Sequence, residues 1–254
     1  MAAGRNSLPA ILLVIILQAA TMPQAAAFGT PVTHVLFDMD GLLLDTERVY
    51  SVVTQQIVGR YGKTFGWDVK KLMMGRRAQE SAEVLIRELQ VPMTPDEYIR
   101  EREELQDKMW GEVDVMPGAE KLVRHLKALG IPQGVATSSN RPAFEAKTAK
   151  HQALFSLFDV IVTGDDSEVT MGKPSPDIFN VCAKRLPNPP ADPKKCLVFE
   201  DAILGIQAAQ AAGMYSVLVP DPNMEEDERT GAGASQVLTS LENFKPEDWG
   251  LPPY

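Results

Sequence analysis

The sequence contains few cysteines and few histidines. Its 254 residues include two cysteines, Cys182 and Cys196, and three histidines. Two cysteines cannot build the multi-disulfide framework of small secreted domains, and so few Cys and His ligands disfavour a structural zinc cluster. Because Cys196 opens an apolar run and Cys182 lies in a helical pattern, we expect two buried free thiols.

The sequence also lacks a long basic run. Asp and Glu total 34 against 25 Lys and Arg, which gives a formal net charge of −9. Nucleic acids and anionic membrane surfaces bind proteins through concentrated positive charge. We therefore expect neither as a partner. The expected partner is a small molecule, and we expect a monomer.

One long apolar run stands near the N-terminus. Arg5 precedes an apolar core over residues 8–17, and Ala25-Ala26-Ala27 follows it. This pattern resembles a cleavable secretory signal over residues 1–27, and its core is too short to remain as a membrane span. Phe28 after small residues also resembles leaders of proteins sent to complex plastids. A start at Met22 would instead give a cytoplasmic form, so these alternatives stay open.

Beyond the leader, short apolar runs alternate with longer amphipathic segments. The strand candidates are residues 33–37, 134–137, 160–164, 196–199, 216–219 and 236–239. Continuous apolar runs are typical of parallel strands buried on both faces. Helical patterns at 118–130, 177–186 and 203–213 separate them. The alternation predicts an α/β fold with a doubly wound parallel sheet.

The segment between residues 50 and 113 contains no good strand candidate. It has helical patterns at 78–90 and 95–110, and the second begins with Thr94 as cap and Pro95 in the first position. Such a long helical stretch exceeds an ordinary crossover between strands. We predict a helical cap over 50–113, inserted into a catalytic core formed by 28–49 and 114–254.

Polar residues follow four of the predicted strands. They are Asp38 and Asp40, then Thr137, Ser138 and Ser139, then Lys173, then Glu200 and Asp201. In an open parallel sheet, ligands bind beyond the carboxyl ends of the strands. The convergence of these residue types at one edge predicts an active site.

These residue types suit phosphate-ester chemistry with magnesium. Asp38 and Asp201 can share one Mg²⁺, which prefers oxygen ligands and removes the repulsion between the two carboxylates. Asp38 can then attack phosphorus and form an aspartyl-phosphate, while Asp40 protonates the leaving alcohol and later takes a proton from water. Thr137, with the amides behind it, opens a predicted helix and can cradle the phosphate. Lys173 adds positive charge at the same edge.

A second helix is expected to start just after Lys173. Ser175 is the predicted cap and Pro176 the first helical residue.

Four motifs carry a resemblance to a known family. They are FDMDGLLLDTE (37–47), VATSSN (135–140), GKPSPDIF (172–179) and LVFEDAILGIQAAQAAGM (197–214). Together they resemble the haloacid dehalogenase-like hydrolase superfamily, in its subgroup with a small helical cap. The resemblance spans residues 31–254 and implies a Mg²⁺-dependent phosphatase.

The resemblance also implies a role for each matching residue. Asp38 would be the nucleophile, and Asp40 the general acid and base with its backbone carbonyl on the metal. Lys173 would steady the nucleophile and the phosphate. Thr137 would bind the phosphoryl group, Asp201 would be a magnesium ligand, and Glu200 would support the metal. Ser138 is a further candidate for substrate binding.

Within the superfamily, two sets of phosphatases are most similar. The stretches PVTHVLFDMDGLLLDTE, WDVKKLMMGRR and NFKPEDWGLPPY resemble the animal pseudouridine-5′-phosphatases and the plant glycerol-3-phosphatases. Arg76 and Arg77 in the cap are either surface charges or readers of the substrate's polar end. Both readings stay open.

The sequence leaves two alternatives to a phosphatase. The first is phosphoryl transfer of the β-phosphoglucomutase type, whose phosphate-gripping cap arginine falls on Ala78 by a gapless count. That mismatch favours a phosphatase. The second is an inactive phosphate-binding module, which the complete set of chemical residues disfavours.

Overall fold

The computed structural model describes Gly29 and residues 31–254, so the predicted leader and the alternative start at Met22 lie outside the described residues. The elements follow one another along the chain as β1 (His34–Phe37), α1 (Thr46–Gly59), α2 (Trp67–Met73), α3 (Ala78–Leu89), α4 (Pro95–Gln106), α5 (Ala119–Ala128), β2 (Gln133–Ala136), α6 (Arg141–Thr148), α7 (Gln152–Phe155), β3 (Val160–Val162), α8 (Asp177–Arg185), β4 (Cys196–Glu200), α9 (Ile203–Ala211), β5 (Tyr215–Leu218), α10 (Glu226–Gly231) and β6 (Gln236–Val237). None of the helices in this part of the chain combines the length and the apolar character needed to cross a membrane.

The six strands form one parallel sheet in the order β3-β2-β1-β4-β5-β6. This confirms the predicted doubly wound α/β fold. All six predicted strands are present, with ends shifted by at most two residues. They were recognisable because β1, β2 and β4 are buried throughout, which requires continuous apolar sequence.

The chain winds outward from β1 in one direction and then returns to add β4 on the other side of β1. Phe37 at the end of β1 lies opposite Val135 of β2 and Phe199 of β4. The carboxyl ends of these three neighbouring strands are therefore level with one another. This reversal of strand order is where α/β sheets open a crevice for ligands.

Helices α1 to α4 follow β1, and the described residues 46–113 include no strand. We call residues 46–113 the helical segment. The predicted start of α4 is confirmed, because Glu97 N–H donates to Thr94 Oγ1 at 3.3 Å and the Glu97 carboxylate accepts from Thr94 N–H at 2.8 Å. The helix ends at Gln106, earlier than predicted, and a 3-10 turn follows at Trp110–Glu112.

Residues 43–45 and 114–116 join the helical segment to the rest of the chain, and these two stretches pair with each other. Leu44 and Val115 form an antiparallel bridge. Asp45 N–H donates to Asp114 O, and Met116 N–H donates to Leu43 O, each at 2.9 Å. We call residues 43–45 with 114–116 the linker ladder.

Two smaller predictions have clear outcomes. Cys182 and Cys196 are both buried free thiols, as expected. The predicted cap at Ser175 is wrong, because α8 begins at Asp177 with Pro176 in the cap position. The Ser175 hydroxyl donates to the Asp177 carboxylate at 2.6 Å instead of accepting a backbone N–H.

Candidate active site

Asp38 and Lys173 form a buried ion pair beyond the end of β1. Lys173 is 1% exposed, and its Nζ lies 2.5 Å from both Asp38 Oδ1 and Glu200 Oε1. Burial raises the pKa of Asp38 to about 7. The charge of Lys173 lowers this pKa, while the negative charges of Glu200 and Asp40 raise it further. The pKa of Lys173 is raised, since its two carboxylate partners outweigh the effect of burial.

Three buried carboxylates gather at this point. Ligand oxygens of Asp38, Glu200 and Asp201 lie within 4.8 Å of one another. Burial, followed by the charges of Glu200 and Asp38, raises the pKa of Asp201 well above its ordinary value. Gly41 lets the chain pass close by, at a φ of 79°, because a Cβ there would collide with Asp201 Oδ2. An all-oxygen donor set with excess negative charge fits a hard divalent cation such as Mg²⁺.

Glu200 is the most firmly held of the three. Its Oε2 accepts N–H groups of Asp201 and Ala202 at 3.1 Å each, while Oε1 accepts from Lys173. A side chain at Gly205 would collide with this carboxylate, which explains the glycine in α9. Glu200 therefore orients both Lys173 and the loop that carries Asp201.

Asp40 lies in a separate hydrogen-bonded group. Its Oδ2 accepts from Ser139 Oγ at 2.8 Å and from Thr137 Oγ1 at 3.3 Å, while Oδ1 lies 2.5 Å from Lys147 Nζ. Burial alone would raise the pKa of Asp40, but the charge and hydrogen bond of Lys147 hold it below its ordinary value. Asp38 thus pairs with Lys173, and Asp40 pairs with Lys147.

The residues after β2 contact Asp40 and the helical side of the site. Thr137 is fully buried and accepts the Ser139 N–H at 3.1 Å. The predicted helix does follow, but it starts at Arg141 with Asn140 as its cap. Ser138 Oγ donates to Gly75 O at 2.8 Å, so it contacts the loop between α2 and α3.

Arg76 and Arg77 point to different places. Arg76 Nε donates to Leu72 O at 2.7 Å, and its side chain borders a cavity that Asp38 and Asp40 also line. Arg77 donates to Val169 O at 2.7 Å and to Thr170 O at 3.3 Å. Arg77 therefore ties the start of α3 to the loop after β3.

A cavity of about 110 Å³ lies between the helical segment and the sheet edge. Of the predicted site residues, its wall includes Asp38, Asp40, Ser138, Arg76 and Asp201. The helical side contributes Tyr50, Thr54 and Arg102, among others. A small polar molecule in this cavity would touch both aspartates.

Lys147 and Arg102 had no recognisable sequence signal. Both are buried, at 0% and 6% exposed, yet a lone Lys or Arg in an amphipathic helix normally predicts a solvated side chain. Only the three-dimensional arrangement brings Tyr50, Asp40 and Lys147 together.

The haloacid dehalogenase-like hydrolase family model matches residues 32–213. This chain therefore belongs to the haloacid dehalogenase-like hydrolase family. Within that family it is similar to proteins named as phosphatases.

Two relatives are similar over most of the chain. (DL)-glycerol-3-phosphatase 1, mitochondrial, of Arabidopsis thaliana is 46% identical over 92% of this chain and 79% of its own length. The Drosophila melanogaster protein named "Probable pseudouridine-5'-phosphatase" is 47% identical over 88% of this chain and 96% of its own length. Among solved structures, a family IA, variant 3 hydrolase of Entamoeba histolytica has a TM-score of 0.71 at 25% identity, covering 86% of this chain and 98% of that one.

Proposed function

We propose that this chain is a Mg²⁺-dependent phosphatase that hydrolyses a small phosphomonoester through an aspartyl-phosphate on Asp38. The observation that carries the proposal is the buried contact of Lys173 Nζ with Asp38 Oδ1 at the level ends of β1 and β4. Asp38 borders the cavity, and the buried Lys173 lies against it. The positive charge of Lys173 reduces the repulsion when this carboxylate approaches a dianionic phosphate. In this proposal the enzyme is a monomer, residues 28–49 and 114–254 form its catalytic core, and 50–113 form its cap.

The cluster of Asp38, Glu200 and Asp201 would hold the cation. Asp38, Asp201 and the backbone carbonyl of Asp40 are the proposed ligands, with Glu200 in support. When bound, Mg²⁺ would neutralise charge on the phosphoryl oxygens and on the clustered carboxylates.

The residues of the chain divide the reaction between them. An Asp38 oxygen attacks phosphorus, and the bond from phosphorus to the ester oxygen breaks. Asp40, whose pKa Lys147 holds low, first takes up a proton from solvent and gives it to that oxygen. Water then attacks the phosphorus of the aspartyl-phosphate while Asp40 takes a proton from it, which releases inorganic phosphate and restores Asp38. Lys173 and the Thr137 hydroxyl bind the phosphoryl oxygens throughout, and Ser138 lies beside them.

The substrate is proposed from the two relatives. Their names specify glycerol 3-phosphate and pseudouridine 5′-phosphate, and each is a phosphate monoester of a small polar alcohol. The helical segment covers the cavity and would exclude bulk water while the alcohol is still bound. Arg76, which borders the cavity, is the better placed of the two cap arginines for contact with that alcohol.

Phosphate release from a panel of esters tests the proposal. The panel contains pseudouridine 5′-phosphate, glycerol 3-phosphate, FMN and sugar phosphates. We expect inorganic phosphate from at least one ester, and Asp38→Asn should abolish its release while Asp45→Asn, at a half-exposed neighbour, should not. Transfer of phosphate between sugar positions without release would favour a mutase. Release by Asp38→Asn at the wild-type rate would refute the nucleophile.

A further inference from the structure

Lys147 is a lysine that the proposed reaction does not yet use. It lies on α6 with no exposed surface, and each of its three N–H groups has an acceptor. Its Nζ lies 2.5 Å from Asp40 Oδ1, 2.6 Å from the Tyr50 hydroxyl and 2.7 Å from Ser139 Oγ. Full pairing of this kind is what allows an ammonium group to be buried.

The surroundings fix this ammonium from several directions. The ring centroids of Tyr50 and Trp110 lie 4.8 and 5.3 Å from Nζ, within the range of cation–π attraction. Ser139 Oγ accepts from Lys147 and donates to Asp40 Oδ2, so the three side chains close a triangle. Neither oxygen of Asp40 can rotate away without breaking a hydrogen bond.

We propose that Lys147 is a positioning residue that holds Asp40 in the orientation needed to protonate the leaving alcohol. This inference rests on the proposed function. Proton transfer depends on the direction in which the acid presents its oxygen, and Lys147 and Ser139 hold both oxygens of Asp40 before the ester binds. The charge of Lys147 also lowers the pKa of Asp40, so a loss of activity in Lys147→Met reflects lost alignment and not a weaker hold on the proton. Because Tyr50 lies on α1 and Trp110 follows α4, the alignment also depends on the helical segment being in place.

Leaving-group dependence separates this role from a structural one. An alkyl ester needs a proton on its departing oxygen, whereas 4-nitrophenolate is stable enough to leave without one. The measured quantity is kcat/KM, which covers the steps up to alcohol release. The probes are the best alkyl phosphate from the panel and 4-nitrophenyl phosphate.

For Lys147→Met we expect kcat/KM to fall roughly a hundredfold or more with the alkyl ester and less than about fivefold with the aryl ester. Lys150→Met removes an exposed ammonium just beyond α6 and should change neither value. Combined with Asp40→Asn, Lys147→Met should add little further loss, because both changes act on the same proton transfer.

Equal losses with the two esters in a folded variant, or no loss at all, would overturn the proposal. If Lys147→Met fails to fold, Tyr50→Phe removes one of the three acceptors and keeps the ring. It should give the same selective loss on a smaller scale, and equal losses would again overturn the proposal. A wild-type protein that releases phosphate from no ester would instead defeat the proposed function itself.

Arg102 carries a second, independent inference. It lies on α4, borders the cavity and is 6% exposed, yet its Nε has no hydrogen-bond partner among the described residues. Its guanidinium carbon lies 5.8 and 5.7 Å from the ring centroids of Tyr50 and Tyr98. Aromatic faces hold the charge in place but accept no N–H bond with the strength of an oxygen.

We infer that Arg102 binds an acceptor group at the end of the substrate away from the phosphate. The planar fork of a guanidinium suits a carbonyl-bearing ring or a carboxylate better than an isolated hydroxyl. This favours an alcohol portion with carbonyl oxygens, such as a pyrimidine base, and it rests on the proposed function.

The test compares pseudouridine 5′-phosphate with glycerol 3-phosphate in Arg102→Met. We expect kcat/KM to fall roughly tenfold or more for the first and less than about threefold for the second. Arg100→Met, at an exposed site on the same helix, is the control and should change neither value. Equal losses for both esters, or no loss for the pyrimidine ester, would overturn the inference. Wild-type protein inactive on both esters would count against the proposed substrate class.

Discussion

Lys173 and Asp38 are joined by a 2.5 Å contact in a site where Lys173 is 1% exposed. The same ammonium holds Glu200 at 2.5 Å. One cation thus compensates two carboxylates in the protein interior, and its removal has consequences for both stability and catalysis.

Lys173→Met should lower the free energy of unfolding by about 3–5 kcal/mol, because it leaves buried carboxylates unpaired. Urea unfolding measures this change, and phosphate release should fall at the same time. Addition of Asp38→Asn to Lys173→Met should restore part of the stability, since a neutral amide costs less to bury. Unchanged unfolding of Lys173→Met would contradict the buried pairing.

Mg²⁺ should raise the midpoint of thermal unfolding of the wild-type protein. The reason is that a cation bound by the folded state relieves repulsion among Asp38, Glu200 and Asp201. Asp201→Asn should shrink the shift markedly, whereas Asp45→Asn should keep it in full. Treatment with EDTA should abolish phosphate release. If Asp201→Asn showed the wild-type shift, the cation would bind elsewhere.

The pair formed by Lys70 and Asp221 links α2 to the loop after β5. Their charged atoms lie 2.9 Å apart, and both side chains are largely buried, at 14% and 11% exposed. Lys70→Met and Asp221→Asn should each weaken product inhibition by inorganic phosphate about fivefold, because the helical segment is held less firmly over the cavity.

Lys70 Nζ also lies 3.2 Å from Glu47 Oε2. The double variant should therefore weaken inhibition no more than Lys70→Met alone, because Lys70→Met already removes the contacts with both carboxylates. Lys71→Met, in a more exposed pair with Glu228, is the matched control and should leave inhibition unchanged. Additive losses would show that Lys70 and Asp221 act separately.

Cys182 and Cys196 should resist thiol reagents at pH 8 in the folded protein. Burial raises the pKa of Cys196 to about 12 and that of Cys182 further, so the reactive thiolate is scarce at this pH. In urea both thiols regain an ordinary pKa and should react quickly, which a colorimetric disulfide reagent measures. Rapid labelling of the native protein would contradict their burial.

Sequence alone could predict the sheet and the main acidic residues of the site. The strands are buried on both faces, so their apolar runs stand out, and the residues directly after them must meet at one edge. Asp38, Asp40, Thr137 and Asp201 were recognisable by that rule. Lys173 lies well beyond the end of β3 and was recognisable only from its place in the motif GKPSPDIF. Their chemical roles follow from the resemblance and stay proposals.

Lys147 and Arg102 were not recognisable because their burial depends on distant segments. Tyr50 and Trp110, far away in the chain, cover Lys147 from the helical side. The misplaced cap at Ser175 has a local cause, since the neighbouring Asp177 carboxylate takes its hydroxyl. Competition of this kind between side chains cannot be read from residue preferences.

The linker ladder has a mechanical consequence. Its two stretches are joined by the Asp45–Asp114 and Met116–Leu43 hydrogen bonds. We expect these bonds to keep the two stretches together while the ladder twists as a unit. We therefore expect rotation of the helical segment to bend the chain at this strip. Asp40 lies only a few residues from the strip, so the strip and the proposed proton donor share one short stretch of backbone. Rotation of the helical segment would then also shift the backbone of Asp40.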